Sequence, residues 1–242
     1  MLSLRPRVLV AGGLVAAVGV AVLAVFLWMV PQAAAREAVS ACKGLKGEAT
    51  LNASVCGGKD PCPIGTLAPD FAAKDVTGKV VHLSDYRGKI VLLNFWASWC
   101  GVCKTEKPEL SAMAKDLAGK DFVIVALASD HSFSDALVGV LDALAPTAKL
   151  PDVRGEIPLS DVKRVYDQAL PHGIPFNVLL DPPEGDGNIG KIAAQWGITA
   201  VPESALIGRD GKIIAYFANK RDWSLPVAET CLRSVVESSG SH

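Results

Sequence analysis

Cys100 and Cys103, two thiols separated by Gly101 and Val102, are the residues of this 242-residue sequence best suited to chemistry. They stand directly after a near-continuous apolar run, Lys89 to Ala97, and directly before a helical pattern that carries Leu110, Met113 and Leu117 to a stop at Gly119. A thiol at the start of a helix meets free backbone N–H groups and the positive end of the helix dipole, which favour thiolate and lower its pKa below the usual ~8.5. Cys100 is therefore the expected nucleophile of a thiol–disulfide exchange. Cys103, one turn further and on the buried side, is placed to attack the mixed disulfide and release a reduced substrate. The competing readings are a passive disulfide and half of a zinc site. Zinc calls for a second ligand pair at comparable spacing. No second Cys-x-x-Cys exists, and His82, His131, His172 and His242 are isolated. Motif and context therefore support redox catalysis with no metal and no cofactor beyond the Cys100–Cys103 pair. Cys42, Cys56, Cys62 and Cys231 lie outside the motif and are candidates for structural disulfides. Cys42 with Cys231 and Cys56 with Cys62 is one of three pairings that sequence leaves open, and a second redox relay is the alternative.

The elements that must position the pair follow from the hydrophobic pattern. Lys89 to Ala97 and Phe122 to Ala128 read as strands buried on both faces, and the strand–helix–strand order around the cysteines implies a parallel pair. Phe71 onward and Lys79 to Leu83 form a hairpin about Gly78. Ser132 to Leu144 is an amphipathic helix, Phe176 to Leu180 a third buried strand, and Ile189 to Trp196 a helix ending at Gly197. Glu203 to Gly208 and Lys212 to Phe217 flank an Asp210-Gly211 turn, and a last helix from about Leu225 to Val236 carries Cys231. Residues 145 to 175 read as a Pro-rich surface insertion with a short helix at Ser160 to Gln168. Residues 32 to 66 read as a Cys-containing tether with a short helical period at Arg36 to Leu45. The main domain is thus expected over 67–238. Gly185 to Lys191 spells G-x-x-x-x-G-K, but Ile192 replaces the Ser or Thr that a phosphate loop needs for Mg²⁺. Trp96 is assigned to the core, and Trp99, beside Cys100, to the redox surface.

Half of the residues are hydrophobic and the formal net charge is −1, which argues against disorder and provides no electrostatic footprint for nucleic acid. The mean hydropathy of +0.31 is high for a soluble chain, and much of the excess sits in Val8 to Val30, 23 residues without a charge, preceded by Arg5 and Arg7. About 20 apolar residues cross a bilayer, whereas the apolar part of a secretory signal runs only to ~7–15. Residues 1–31 are accordingly read as a cytoplasmic start and a single-pass anchor in the inner membrane. A cleaved signal with its site at Ala33-Ala34-Ala35 is the alternative. Either way the arginines stay on the cytoplasmic side and the remainder is exported. That remainder carries 22 basic and 25 acidic residues, a charge of −3. An oxidising compartment also accounts for an even number of cysteines.

Asn94-Phe95-Trp96-Ala97-Ser98-Trp99-Cys100-Gly101-Val102-Cys103-Lys104, with Glu106 and Pro108 after it, resembles the active-site segment of the thioredoxin superfamily. More narrowly, it is similar to the membrane-anchored TlpA/ResA/DsbE-like thiol–disulfide oxidoreductases. Ala68-Pro69-Asp70-Phe71, Leu83 to Lys89 and Val201-Pro202-Glu203-Ser204 extend the likeness over about residues 67 to 235. The resemblance implies a thioredoxin-like α/β fold, a central mixed sheet flanked by helices with an N-terminal hairpin extension. It implies a cis peptide before Pro202, with Val201 offering backbone hydrogen bonds to a substrate strand, and an acidic tuning role for Glu106, whose plain alternative is a solvated first-turn glutamate on the helix dipole. It also implies protein disulfides as substrates in cytochrome c maturation or copper-site assembly, and a membrane electron donor of the DsbD/CcdA type. Two positions depart from cytosolic thioredoxin. Asn94 stands where that relative has a buried aspartate, and Val102 replaces the usual proline, which leaves the reduction potential open. A Cu(I)-binding assembly factor, and an oxidase or isomerase using the same pair, are the other readings. The lack of a His or Met cluster near the cysteines, and the loop of Pro202, count against copper.

Overall fold

The computed structural model describes residues 18–25, 42, 44, 45, 47–151 and 156–238. Its elements in chain order are β1 (Thr50–Leu51), β2 (Cys62–Pro63), β3 (Ala72–Asp75), β4 (Val80–His82), β5 (Ile90–Trp96), α1 (Gly101–Asp116), β6 (Phe122–Ala128), α2 (Phe133–Leu144) and α3 (Leu159–Ala169). There follow β7 (Asn177–Leu180), α4 (Lys191–Gln195), β8 (Glu203–Ile207), β9 (Ile213–Ala218) and α5 (Pro226–Ser238).

Seven strands form one mixed sheet in the order β4-β3-β7-β6-β5-β8-β9, and β1 pairs with β2 apart from it. β5, β6 and β7 run parallel, with Leu93 opposite Val125 and Ala126 opposite Val178. The outer pairings are antiparallel. Every residue of β5 is buried, and successive side chains point to opposite faces of the sheet. Ile90, Leu92 and Trp96 therefore join Leu110 and Met113 of α1, Val140 of α2 and Leu232 of α5 in one cluster. Val91, Leu93 and Phe95 join Ala193, Trp196, Leu51 and Val55 in the other. A central strand covered on both faces has no polar side to display, which is why its sequence lacks alternation.

Three segments differ from the sequence-based expectation. Residues 47–66, read as part of a tether, are folded onto the domain. The Glu48 N–H donates to the Tyr216 carbonyl at 2.7 Å, Gly65 N–H and Ile213 carbonyl are 2.8 Å apart, and the Asn52 amide donates to the Gly197 carbonyl. Two-residue strands that pair with each other, with the residues beside them held by distant partners, carry no period for the sequence to show. The helix expected over Ile189 to Trp196 is confined to Lys191–Gln195. In the 145–175 segment the expected short helix is present as α3, but it buries Val162 against Leu137 and Leu141 of α2, so the insertion packs onto the domain and is not only surface. Of the expected anchor Val8–Val30, only residues 18–25 are described. They are helical and exposed, and no helix among the described residues is long and apolar enough to cross a membrane. The rest of that stretch and Ala33–Ala35 lie outside the described residues.

Candidate active site

The central strand β5 ends at Trp96, and residues 97–99 turn the chain into α1. That turn is fixed from below by Asp130, whose buried carboxylate accepts the Ser98 N–H at 3.1 Å and the Ser98 hydroxyl at 2.6 Å. Burial pushes the Asp130 carboxyl up, against the pull of the Ser98 donors. Cys100 is the N-cap of α1. Its Sγ accepts the Cys103 N–H at 3.1 Å, so one of the orphan donors at the helix start already points at this sulfur. Cys100 and Cys103 are joined in a disulfide with Cα atoms 5.2 Å apart. Cys100 keeps 8% of its surface exposed and Cys103 none, so only the first sulfur is open to attack from solvent. Trp99 and Val102 are half exposed on either side of it and form an apolar rim.

The Val201 carbonyl lies 3.6 Å from Cys100 Sγ, on the loop entering β8. A disulfide sulfur donates no proton, so this is a contact in the oxidised state and becomes a hydrogen-bond position only for the reduced thiol. The Val201–Pro202 peptide is cis, as is Asp60–Pro61. Glu203, directly after, accepts a hydrogen bond from the Tyr216 hydroxyl of β9, and burial raises its carboxyl pKa. The structure thus brings Cys100, Cys103 and the Val201 carbonyl together, with Trp99 exposed beside Cys100 and the cis Pro202 buried behind Val201.

Glu106 is placed differently from a first-turn helix acid. It sits in the second turn of α1 and is only 1% exposed. Its Oε1 accepts the Arg221 N–H at 2.8 Å and the Trp223 indole N–H at 3.1 Å, while Oε2 is buried with no hydrogen-bond partner among the described residues. Burial raises its pKa against the pull of those donors and of Lys107. Its hydrogen bonds go to the loop before α5 and not to either cysteine.

Lys107 escaped the sequence reading. It is wholly buried, donates to Asn94 Oδ1 at 2.6 Å and holds its Nζ 4.1 Å from the centre of the Trp96 ring. Asn94 in turn donates to the Ser204 hydroxyl at 3.0 Å. Burial drives Lys107 down to about 7, against the charges of Glu106 and Asp130. An available signal was the stripe Cys103, Lys107, Leu110 and Ala114, whose spacing puts the lysine on the buried face. The remaining cysteines are paired as Cys42–Cys231 and Cys56–Cys62. The phosphate-loop lookalike is closed by its own chain, since the Asp181 carboxylate accepts the N–H groups of Ile192 and Ala193 at 2.8 and 2.9 Å.

Residues 64–216 match the model of the AhpC/TSA family. The chain belongs to that family. Within it, the sequence is 30% identical over 156 residues to the thiol–disulfide oxidoreductase ResA of Bacillus thuringiensis (strain Al Hakam), covering 64% of this chain and 70% of that protein. It is 40% identical over 78 residues to ResA of Bacillus subtilis (strain 168), covering 32% of this chain and 44% of that one. Among solved structures, a Chlorobium tepidum protein assigned to the DsbE type of thiol:disulfide interchange protein superposes with a TM-score of 0.50 at 28% identity. The match covers 73% of this chain and 98% of that one. The fold is thioredoxin-like, and family and dithiol together make the chain a thiol–disulfide oxidoreductase.

Proposed function

We propose that the chain is an extracytoplasmic, membrane-tethered reductase of protein disulfides that works through Cys100 and Cys103. The observation that carries this reading is the asymmetry of the pair. Cys100 is open at a helix N-terminus beside the backbone of Val201, and Cys103 is sealed behind it. An extended substrate segment laid along Val201 and Pro202, against the rim of Trp99, brings its disulfide to Cys100 in the manner of an added strand. The Cys100 thiolate attacks one substrate sulfur, and the other leaves as thiolate. Cys103 then attacks Cys100, the substrate's second sulfur departs, and the Cys100–Cys103 bond forms, so two electrons pass to the substrate with no bound cofactor.

The resemblance to ResA and DsbE supports substrates of the cytochrome c maturation or copper-site assembly type. In an oxidising compartment the spent pair needs a membrane donor of the DsbD/CcdA type to reduce it again. Val8–Val30 is the proposed tether. The test is the midpoint potential of Cys100/Cys103, measured by equilibration with thiol–disulfide buffers. A value near thioredoxin's, about −270 mV, is expected, whereas one near about −120 mV, where strong oxidants lie, overturns the reductase direction.

A further inference from the structure

Lys107 is a full cation's worth of side chain sunk into the core with one hydrogen-bond acceptor among the described residues for its three possible donors. An ammonium needs more than that to be buried without loss, so the surroundings favour the neutral amine. In that form one N–H binds Asn94 Oδ1. The Asn94 amide donates to the Ser204 hydroxyl. Two features direct the lysine side chain toward Cys103. Cys103 lies four residues earlier on α1, hence on the same helical face one turn below. Long helical side chains lean toward the helix N-terminus, over the residue at i−4. Opposite, Asn94 and Trp96 share one face of β5 and fix the far end of the side chain, and Cys103 packs in the same cluster as Trp96.

We propose that Lys107 holds the proton of Cys103, taking it as Cys103 resolves the mixed disulfide and returning it when the pair is reduced. The inference rests on the dithiol-exchange reading above. In the resolving step the Cys103 S–H proton moves to the Lys107 amine, and the Cys103 sulfur forms a bond to Cys100 Sγ. The Cys100–substrate S–S bond breaks, and its electron pair leaves on the substrate thiolate, which takes a proton from water. A donor dithiol later reverses the sequence. Asn94 and Trp96 from β5 and Phe176 before β7 lie against the lysine, and the charges of Glu106 on its own helix and Asp130 after β6 act on it. Ser204 of β8 holds Asn94, and Cys103 lies one turn below on α1. The carboxylates of Glu106 and Asp130 support the ammonium once it forms, and its pKa of about 7 lets the proton move both ways near neutrality.

The reduced full-length chain, in detergent micelles, is mixed with the chromogenic disulfide dithiobis(nitrobenzoate), which separates the two steps. The first coloured thiolate reports attack by Cys100, the second the attack by Cys103. In the native chain the second phase is expected to rise with pH and level off above an inflection near 7. In Lys107→Met the first phase stays within about twofold. The second slows at pH 7 by about tenfold or more, with its inflection moved to or beyond the ordinary thiol value of ~8.5. Lys107→Arg, which keeps a charge but cannot release its proton, is expected to lose the inflection near 7 as well. A native second phase that climbs unbroken to ~8.5, or a Lys107→Met profile identical to it, overturns the role of Lys107 while leaving dithiol exchange intact. Absence of any second phase in the native chain overturns the exchange reading itself.

Discussion

Glu106 and Lys107 are neighbours on one helix whose buried side chains turn to different partners, the first to Arg221 and Trp223, the second to Asn94 and Trp96. Their burial has consequences for stability of opposite sign. The folded Lys107 titrates near 7 and the unfolded one near 10.5. Between those values the unfolded chain carries a proton that the folded chain lacks, so this site adds stability as pH rises through the window and loses it as pH falls toward 7. Relative to Lys107→Met, the native chain should therefore gain in thermal midpoint between pH 7 and 9. A difference that stays flat across that range means that Lys107 titrates like an exposed lysine. Glu106, raised in the fold above its unfolded 4.5, contributes stability that is complete below that value and is lost as pH rises through the folded pKa. Glu106→Gln keeps an oxygen for the Arg221 and Trp223 donors and removes the charge, so it should match the native chain near pH 4 and exceed it in thermal midpoint at pH 7. A variant less stable at pH 7 than at pH 4, relative to native, contradicts this.

α2 seats on the turn that leads into Cys100, and Gly139 is the point of contact. A methyl there would stand 2.7 Å from Ser98 Cβ, 2.8 Å from Ser98 Cα and 3.2 Å from the Trp96 ring. An interior glycine forgoes about 1 kcal/mol of helix propensity against alanine, and the close approach explains why it is there. Gly139→Ala should be destabilising by about 1–3 kcal/mol in urea unfolding, because overpacking against backbone outweighs the propensity gain. It should also slow the first coloured phase by displacing Ser98 from Asp130. An increase in stability shows that the turn yields at no loss. Which elements were legible in the sequence follows from the same physics. β5 and β6 show as apolar runs because both faces are covered, and the cysteine pair and Pro202 show because spacing and motif survive in one dimension. β1 and β2 do not show, being two-residue strands that pair with each other beside contacts of Glu48 and Asn52 to Tyr216 and Gly197 far along the chain. α4 shows, but its apolar pattern runs longer than the helix, whose start is held by Asp181 just before it. Lys107 was hidden for a further reason. A Glu-Lys pair on a helix scores as a solvated face, and only the stripe through Cys103 and Leu110 argues otherwise.

At the scale of the molecule, the Cys42–Cys231 disulfide connects the N-terminal segment to α5, closing a separation of 189 residues. Cys231 lies in the main core, Leu45 is buried with it, and the Arg221 side chain donates to the Leu45 carbonyl at 3.0 Å. If Val8–Val30 is the anchor, the twelve residues 31–42 bound the reach of the domain. At no more than about 3.6 Å per residue, Cys42 stays within roughly 40 Å of the membrane end of that segment. The pair then sets where the reactive face can meet a membrane partner as well as how stable the domain is. Cross-linking limits the unfolded chain more as the closed loop lengthens, and on the chain-entropy model the 189-residue separation is worth about 3 kcal/mol more than the six-residue separation of Cys56–Cys62. With Cys100–Cys103 kept oxidised, Cys42→Ala with Cys231→Ala should therefore lower the unfolding free energy by about 2–5 kcal/mol, and Cys56→Ala with Cys62→Ala by less. After reduction, both double variants should retain the first coloured phase, since none of the four cysteines bonds to the reactive pair. Equal losses, or a larger loss for the short loop, show that packing of Leu45 and the Arg221 contact hold the segment without the disulfide.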